Sequence, residues 1–93
     1  MPNISINQPA DPVHNPFSAQ GIARSNDTQV SGILYQFNNN GDITAKYPNQ
    51  PIVVNTTPPN FTIQFQGAPP GYWVLLVRGM QSNASGAETF HVT

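Results

Sequence analysis

The sequence predicts an all-β domain, and three observations carry that expectation. Apolar residues recur with period two, as in FTIQFQ (61–66), where Phe61, Ile63 and Phe65 alternate with Thr62, Gln64 and Gln66. Successive side chains of a strand point to opposite faces, so this is the pattern of a half-buried sheet. Turn signals rich in Pro, Gly and Asn break the chain about every eight to twelve residues, the spacing of a sandwich or barrel. Nowhere does helical periodicity extend over about ten residues, so helix is limited to a turn.

The elements follow in order. Ile4 and Ile6 alternate with Asn and Ser in a first strand. QPADPVHNP then forces a crossing, because Pro9, Pro12 and Pro16 cannot donate to a central ladder. FSAQGIAR places Phe17, Ala19, Gly21 and Ala23 on one face and Ser18, Gln20, Ile22 and Arg24 on the other. SNDTQ turns the chain into VSGILYQF, whose heavier face is Ile33, Tyr35 and Phe37, with Leu34 and Gln36 pointing away. NNNGD holds an Asn-Gly pair, a strong hairpin signal because both residues tolerate positive φ. DITAKY therefore returns antiparallel, and PIVVN forms a separate short edge strand. After TTPPN comes FTIQFQ, then the GAPPG loop, GYWVLLVRG, and finally GAETFHVT beyond a QSNASG turn.

Composition narrows the function classes. At 93 residues the chain is a single domain, 1–93, near the small end of what buries its own core. It has no cysteine, so neither disulfides nor thiolate metal sites can staple it. Only 8% of residues are charged, the net charge is −1, and the three cations Arg24, Lys46 and Arg78 are scattered. That excludes the electrostatic footprint of a nucleic-acid binder. No apolar run approaches the roughly 18 residues of a membrane span, so no membrane insertion is expected. MPNISINQPAD lacks the basic and apolar regions of a signal peptide. Asn, Gln, Ser and Thr replace charge as the source of solubility, a balance common in extracellular modules and virion proteins. Sequons stand at Asn3, Asn26, Asn55, Asn60 and Asn83, and their plain reading is polar turns.

Four segments, INQPAD…NPFSAQGIA, VSGILYQFNNNG, FTIQF and PPGYWVLLVRG…GAETFHVT, together resemble the bacterial immunoglobulin-like (Big, early-set) domain pattern. In that pattern an SPADG…SPFTVSGTA opening leads to a V-x-V-x-V strand, and a PPGxYxLxVxAxD…G strand pair closes the domain. The likeness runs from about Ile4 to Val92. It implies a single immunoglobulin-like two-sheet sandwich of about seven antiparallel strands with Greek-key links. APPGYWVLLV also resembles the early-set domain that ends galactose-oxidase-type enzymes. His14 and His91 do not fall in a segment matching that domain's copper histidine, so no ligand carries over. Such folds host many functions, and the function must be argued from a site.

The inventory for catalysis is thin: Asp11, Asp27, Asp42, Glu88, His14, His91, three cations and the tyrosines. Asp27 and Asp42 fall in turns at opposite ends of adjacent strands, too far apart for a carboxylate pair. There is no G-x-S-x-G elbow. Asp11 and His14 lie three apart in a proline-rich loop that makes its own turn contacts. Lys46, Glu88 and a nearby Asn are residue types that form intramolecular isopeptide bonds, but sequence supplies no pairing geometry. No catalytic residue, metal ligand or cofactor is predicted, and the chain reads as a non-enzyme.

What remains is PPGYWVLLVRG (69–79), in which six apolar residues run without alternation. Either both faces of this strand are covered, or one awaits a partner. The PGxYxLxV rhythm of the resembled family puts Trp73, Leu75 and Val77 in the core, with Trp73 against Phe65 or Phe61 and Tyr35. Tyr72, Val74, Leu76 and Arg78 then share the outer face. Leu34 joins them from the neighbouring strand, and Ala87, Thr89 and His91 from the last one. The predicted interface is thus Leu34, Tyr72, Val74, Leu76, Arg78 and His91, with Gln36 and Thr89 at its rim. Exposed, the stripe offers on the order of 300–500 Å² of apolar surface, which marks an interaction site when contiguous.

The expected function is a non-enzymatic structural or adhesive module that binds protein neighbours, or copies of itself, through this outer face. With an initial Met and no export signal, a phage virion protein (decoration or tail) is its specific form; a cell-surface or secreted domain is the other. The alternative is a carbohydrate-binding accessory module of a secreted or cell-surface bacterial protein. Tyr47 and Tyr72, flanked by amides, would then be the sugar-stacking rings.

Overall fold

The computed structural model describes residues 4–7 and 12–93. Seven strands form: β1 (Ser5–Ile6), β2 (Phe17–Ile22), β3 (Gln29–Phe37), β4 (Ile43–Asn55), β5 (Asn60–Phe65), β6 (Gly71–Gly79) and β7 (Ser85–Val92). One sheet runs β1-β2-β5 and the other β4-β3-β6-β7, with every pairing antiparallel. Setting the first, second and fifth strands against the other four is a Greek-key division, as in immunoglobulin-type sandwiches.

Alternation builds the smaller sheet. Pairs Phe17↔Phe65, Ala19↔Ile63 and Gly21↔Phe61 all face inward, with the polar residues between them outside. Gly21 sits where the chain comes closest: a Cβ there would lie 2.1 Å from the Ser5 carbonyl and 2.7 Å from the Phe61 ring. Phe17 joins the two sheets, stacking on Phe65 at 5.4 Å and on Phe90 of β7 at 5.8 Å. Trp73 is buried among them, and its indole N–H donates to the Pro69 carbonyl at 2.9 Å, which satisfies the ring's polar edge.

The N-terminal segment closes one side. Ile4 donates its N–H to Ser85 of the larger sheet, while Ser5 and Ile6 pair with β2 of the smaller. Val13 then pairs in parallel with Val92, so chain lies along both ends of the β7 edge.

Two expectations are corrected. DITAKY and PIVVN are one strand, β4, not two. Its register on β3 jumps from Gly32↔Ile52 to Leu34↔Tyr47, so residues 48–51 bulge outward opposite Ile33 alone. Pro48 and Pro51 cannot donate to a ladder and are accommodated at this bulge on an edge strand.

The second correction is the parity of β3. Leu34 is fully buried and belongs to the core, whereas Ile33, Tyr35 and Phe37 face outward. Tyr35 therefore does not pack on Trp73. Gly32 supplies the reason. It faces inward, and the Ile63 side chain of the facing sheet fills its space, so a Cβ would meet Ile63 Cδ1 at 2.6 Å. The lighter face of β3 turns inward because the opposite sheet supplies the bulk.

Candidate functional site: the outer face of the larger sheet

Cross-strand partners of a sheet share a face, so the register lays out this surface row by row. One row is Val53, Ser31, Arg78 and Ser85; the next is Ile33, Leu76 and Ala87. Lys46, Tyr35, Val74 and Thr89 follow, and the last row pairs Phe37 with Ile43 and Tyr72 with His91. Of the predicted interface, the structure brings Tyr72, Val74, Leu76, Arg78 and His91 together here. Leu34 is removed to the core by the β3 parity, and Gln36 leaves the rim with it, as the partner of inward-packed Ala45.

The face is more apolar than the sequence suggests. Tyr72 is 65% exposed, Ile43 56%, Val53 50%, Phe37 48% and Leu76 39%. Ile33, in their midst, is only 5% exposed yet stands outside the core cluster, opposite the bulge of β4. Tyr35 and Phe37 were missed because they were placed on the heavier face of β3, Val53 because PIVVN was read as an edge strand, and Ile43 because DITAKY was given no face. Their signal was present in the unalternated VLLV of β6, which requires an equally apolar neighbour on its outer side.

At one end of the face stand four rings. Tyr72 and His91 stack with centroids 4.2 Å apart and planes 13° from parallel, and Tyr35 meets Phe37 at 6.3 Å. At the other end a shallow depression is lined by Ser31, Gln50, Pro51, Val53, Arg78 and Met80. The charged residues on the face are cations, Lys46 and Arg78. Among the described carboxylates, Asp27 is buried, Asp42 lies in the hairpin turn, and Glu88 pairs with inward-facing Leu75.

Tyr47, the second predicted sugar contact, does not share this surface. It pairs with Leu34, packs against the core, and its hydroxyl donates to the Gln66 carbonyl. Tyr47 and Tyr72 therefore form no common platform, and one face of the Tyr72 ring is taken up by His91.

Family models, curated proteins and solved structures were all compared with the chain, and none matches. Function therefore rests on the geometry.

Among the described residues, no three His, Cys, Asp or Glu side chains converge. Asp11 lies outside the described residues, and His14 Nδ1 bonds the Thr93 hydroxyl at 2.9 Å. Lys46 faces outward and Glu88 has inward parity, so the sheet itself separates the isopeptide candidates.

One carboxylate has a role the sequence did not reveal. Asp27 is fully buried. It accepts hydrogen bonds from the N–H groups of Arg24, Gln81 and Ser82 (3.2, 3.1 and 2.8 Å) and from the Ser82 hydroxyl at 2.7 Å. Burial by itself raises its pKa. The Ser82 hydroxyl and the three backbone donors outweigh that effect and hold the carboxyl below its ordinary value. Gly79 makes the room: a Cβ there would lie 2.1 Å from the carboxylate. Asp27 thus ties the turn before β3 to the turn after β6 and holds the two central strands of the outer face at one end.

Proposed function

We propose that this chain is a non-enzymatic interaction module whose outer sheet face docks on a protein neighbour in an assembly. One observation carries the reading: the four-stranded sheet exposes Tyr72, Leu76, Phe37, Ile43 and Val53 on one outer face, with Val74 half-buried among them. A patch of roughly 300–500 Å² lies at the size that marks binding surfaces on small monomers. Removing it from water contributes roughly 8–12 kcal/mol before association costs, at about 25 cal/mol per Å². Association costs are of similar size, so affinity depends on repetition or on a well-packed centre. Both requirements suit a component of a repeated surface structure. The proposed setting is a virion, as a decoration or tail protein, or a bacterial surface, where immunoglobulin-like modules of the resembled family belong. The low charge and amide-rich exterior support that setting without choosing between the two.

The test is to produce the chain with the products of its neighbouring genes, capture it by affinity, and determine stoichiometry by native mass spectrometry. The double variant Val74→Thr/Leu76→Thr should release the neighbour and leave the melting temperature within a few degrees. A variant that loses stability and still holds its neighbour would mean that the chain itself covers the stripe.

A further inference from the structure

A two-sheet sandwich has four edge strands, and each offers unpaired N–H and C=O groups unless something blocks it. Three of the four are blocked here. β1 is two residues long. β4 is interrupted by the proline-bearing bulge at 48–51. β7 is overlaid at both ends, by Ile4 on Ser85 and by Val13 on Val92. β5 is overlaid only at its first residue, where Thr57 exchanges backbone hydrogen bonds with Asn60, and is open from Phe61 to Phe65. It keeps an unbroken six-residue register with β2, contains no proline, charge or bulge, and among the described residues has no strand on its other side.

The strand is also suited to pairing with itself. FTIQF is aromatic and β-branched, uncharged and free of proline, the composition of segments that self-associate as strands. We infer that β5 pairs antiparallel with β5 of a second copy, across a two-fold axis near Ile63, which joins two three-stranded sheets into one of six. Such a contact is self-complementary and closes at two copies. It sets Thr62 opposite Gln64 of the second copy on the exposed face, so no like charges meet. A net charge of −1 adds no long-range repulsion to oppose it. Phe61, Ile63 and Phe65 stay in their own core, so neither copy has to open. The pairing spans Phe61–Phe65, and five residues a side fall short of a standard interface, so the dimer is weak and concentration-dependent. The inference uses the sheet opposite the proposed docking face and stands independently of it.

Sedimentation velocity of the full chain from micromolar to millimolar concentration reads the association directly. The expected result is a weight-average mass that rises towards the dimer, with β5 amides gaining hydrogen-exchange protection only at the high end. Thr62→Lys/Gln64→Lys places charges on the exposed face opposite Gln20 and Ser18 of β2, away from the core. That variant should melt as the parent does and associate at least about tenfold more weakly, as edge lysines block pairing in natural sheets. Three outcomes overturn the inference: a monomer at every concentration, a dimer that survives the lysine variant, or a dimer abolished by Val74→Thr/Leu76→Thr. The last of these would move self-association to the outer face of the larger sheet. If the lysine variant does not fold, the concentration dependence of β5 exchange in the parent protein decides.

Discussion

Asp27 concentrates much of the molecule's local order in one side chain. Four donors converge on a carboxylate withdrawn from water, and such charge-assisted bonds are costly to break singly. Asp27→Asn keeps the shape, removes the charge and turns an amide NH₂ toward groups that are themselves donors. Urea denaturation should show a loss of about 2–4 kcal/mol. Because the folded pKa lies below the ordinary 3.8, the unfolded chain binds the proton more readily. The carboxylate's contribution is complete above the ordinary value and disappears as the pH falls through the folded one. Urea midpoints measured down an acid series should therefore drop for the parent and lack that component in Asp27→Asn. Gly32 makes the second prediction at this scale. Gly32→Ala drives a methyl into Ile63 Cδ1, the atom that Ile63→Val deletes. A double-mutant cycle should show the pair coupled by about 0.5–1.5 kcal/mol, with the double variant more stable than the sum of the singles.

At the scale of the strand, the contrast between β5 and β3 shows what a residue pattern can convey. β2 and β5 alternate cleanly, and their inward faces were legible from the sequence because every apolar position except exposed Ile22 has one parity. In β6 the inward set Trp73, Leu75 and Val77 was legible too, with help from the rhythm of the resembled family. β3 is apolar on both parities, so side-chain weight was the only guide, and weight misled. A one-residue change of parity moves a whole strand's side chains to the other face. Leu34→Ala should accordingly cost about 2–5 kcal/mol, as a cavity in the core. Tyr35→Ala, on the outer face, should cost roughly 1 kcal/mol or less. Equal losses in chemical denaturation would overturn the parity. The single long β4 was illegible for a related reason: prolines at 48 and 51 look like a strand boundary until the partner strand shows the register resuming beyond them.

For the whole molecule, two surfaces follow from how the sheets are completed. The larger sheet stacks β3 against β6, both apolar on both parities, and no further layer lies over Tyr72, Leu76 and Phe37 among the described residues. The smaller sheet ends on β5, which is guarded only at Asn60, by Thr57. Combining Val74→Thr/Leu76→Thr with Thr62→Lys/Gln64→Lys should give additive changes in assembly, since the sites lie on different sheets and share no partner. Native mass spectrometry of the four forms should show neighbour binding respond to the first pair and self-association to the second. The candidate site was half legible at this scale. Its β6 and β7 members came from the rhythm of the resembled family, while its β3 and β4 members required the register.

By itself the sequence determined the all-β class, the two-sheet division's alternating strands and the apolar anomaly in β6. These are local properties: side-chain period, turn chemistry and composition act within a few residues of chain. Tertiary structure alone decided which side of β3 faces the core, because that depends on Ile63 filling the space over Gly32 from the opposite sheet. It alone made Asp27 a buried knot, since its donors lie more than fifty residues away at Gln81 and Ser82 as well as nearby at Arg24. It also left β5 as the least guarded edge, because an edge exists only once the order of strands is set. Parity, burial of a charge and edge position are relations between segments distant in sequence, and only folding brings those segments together.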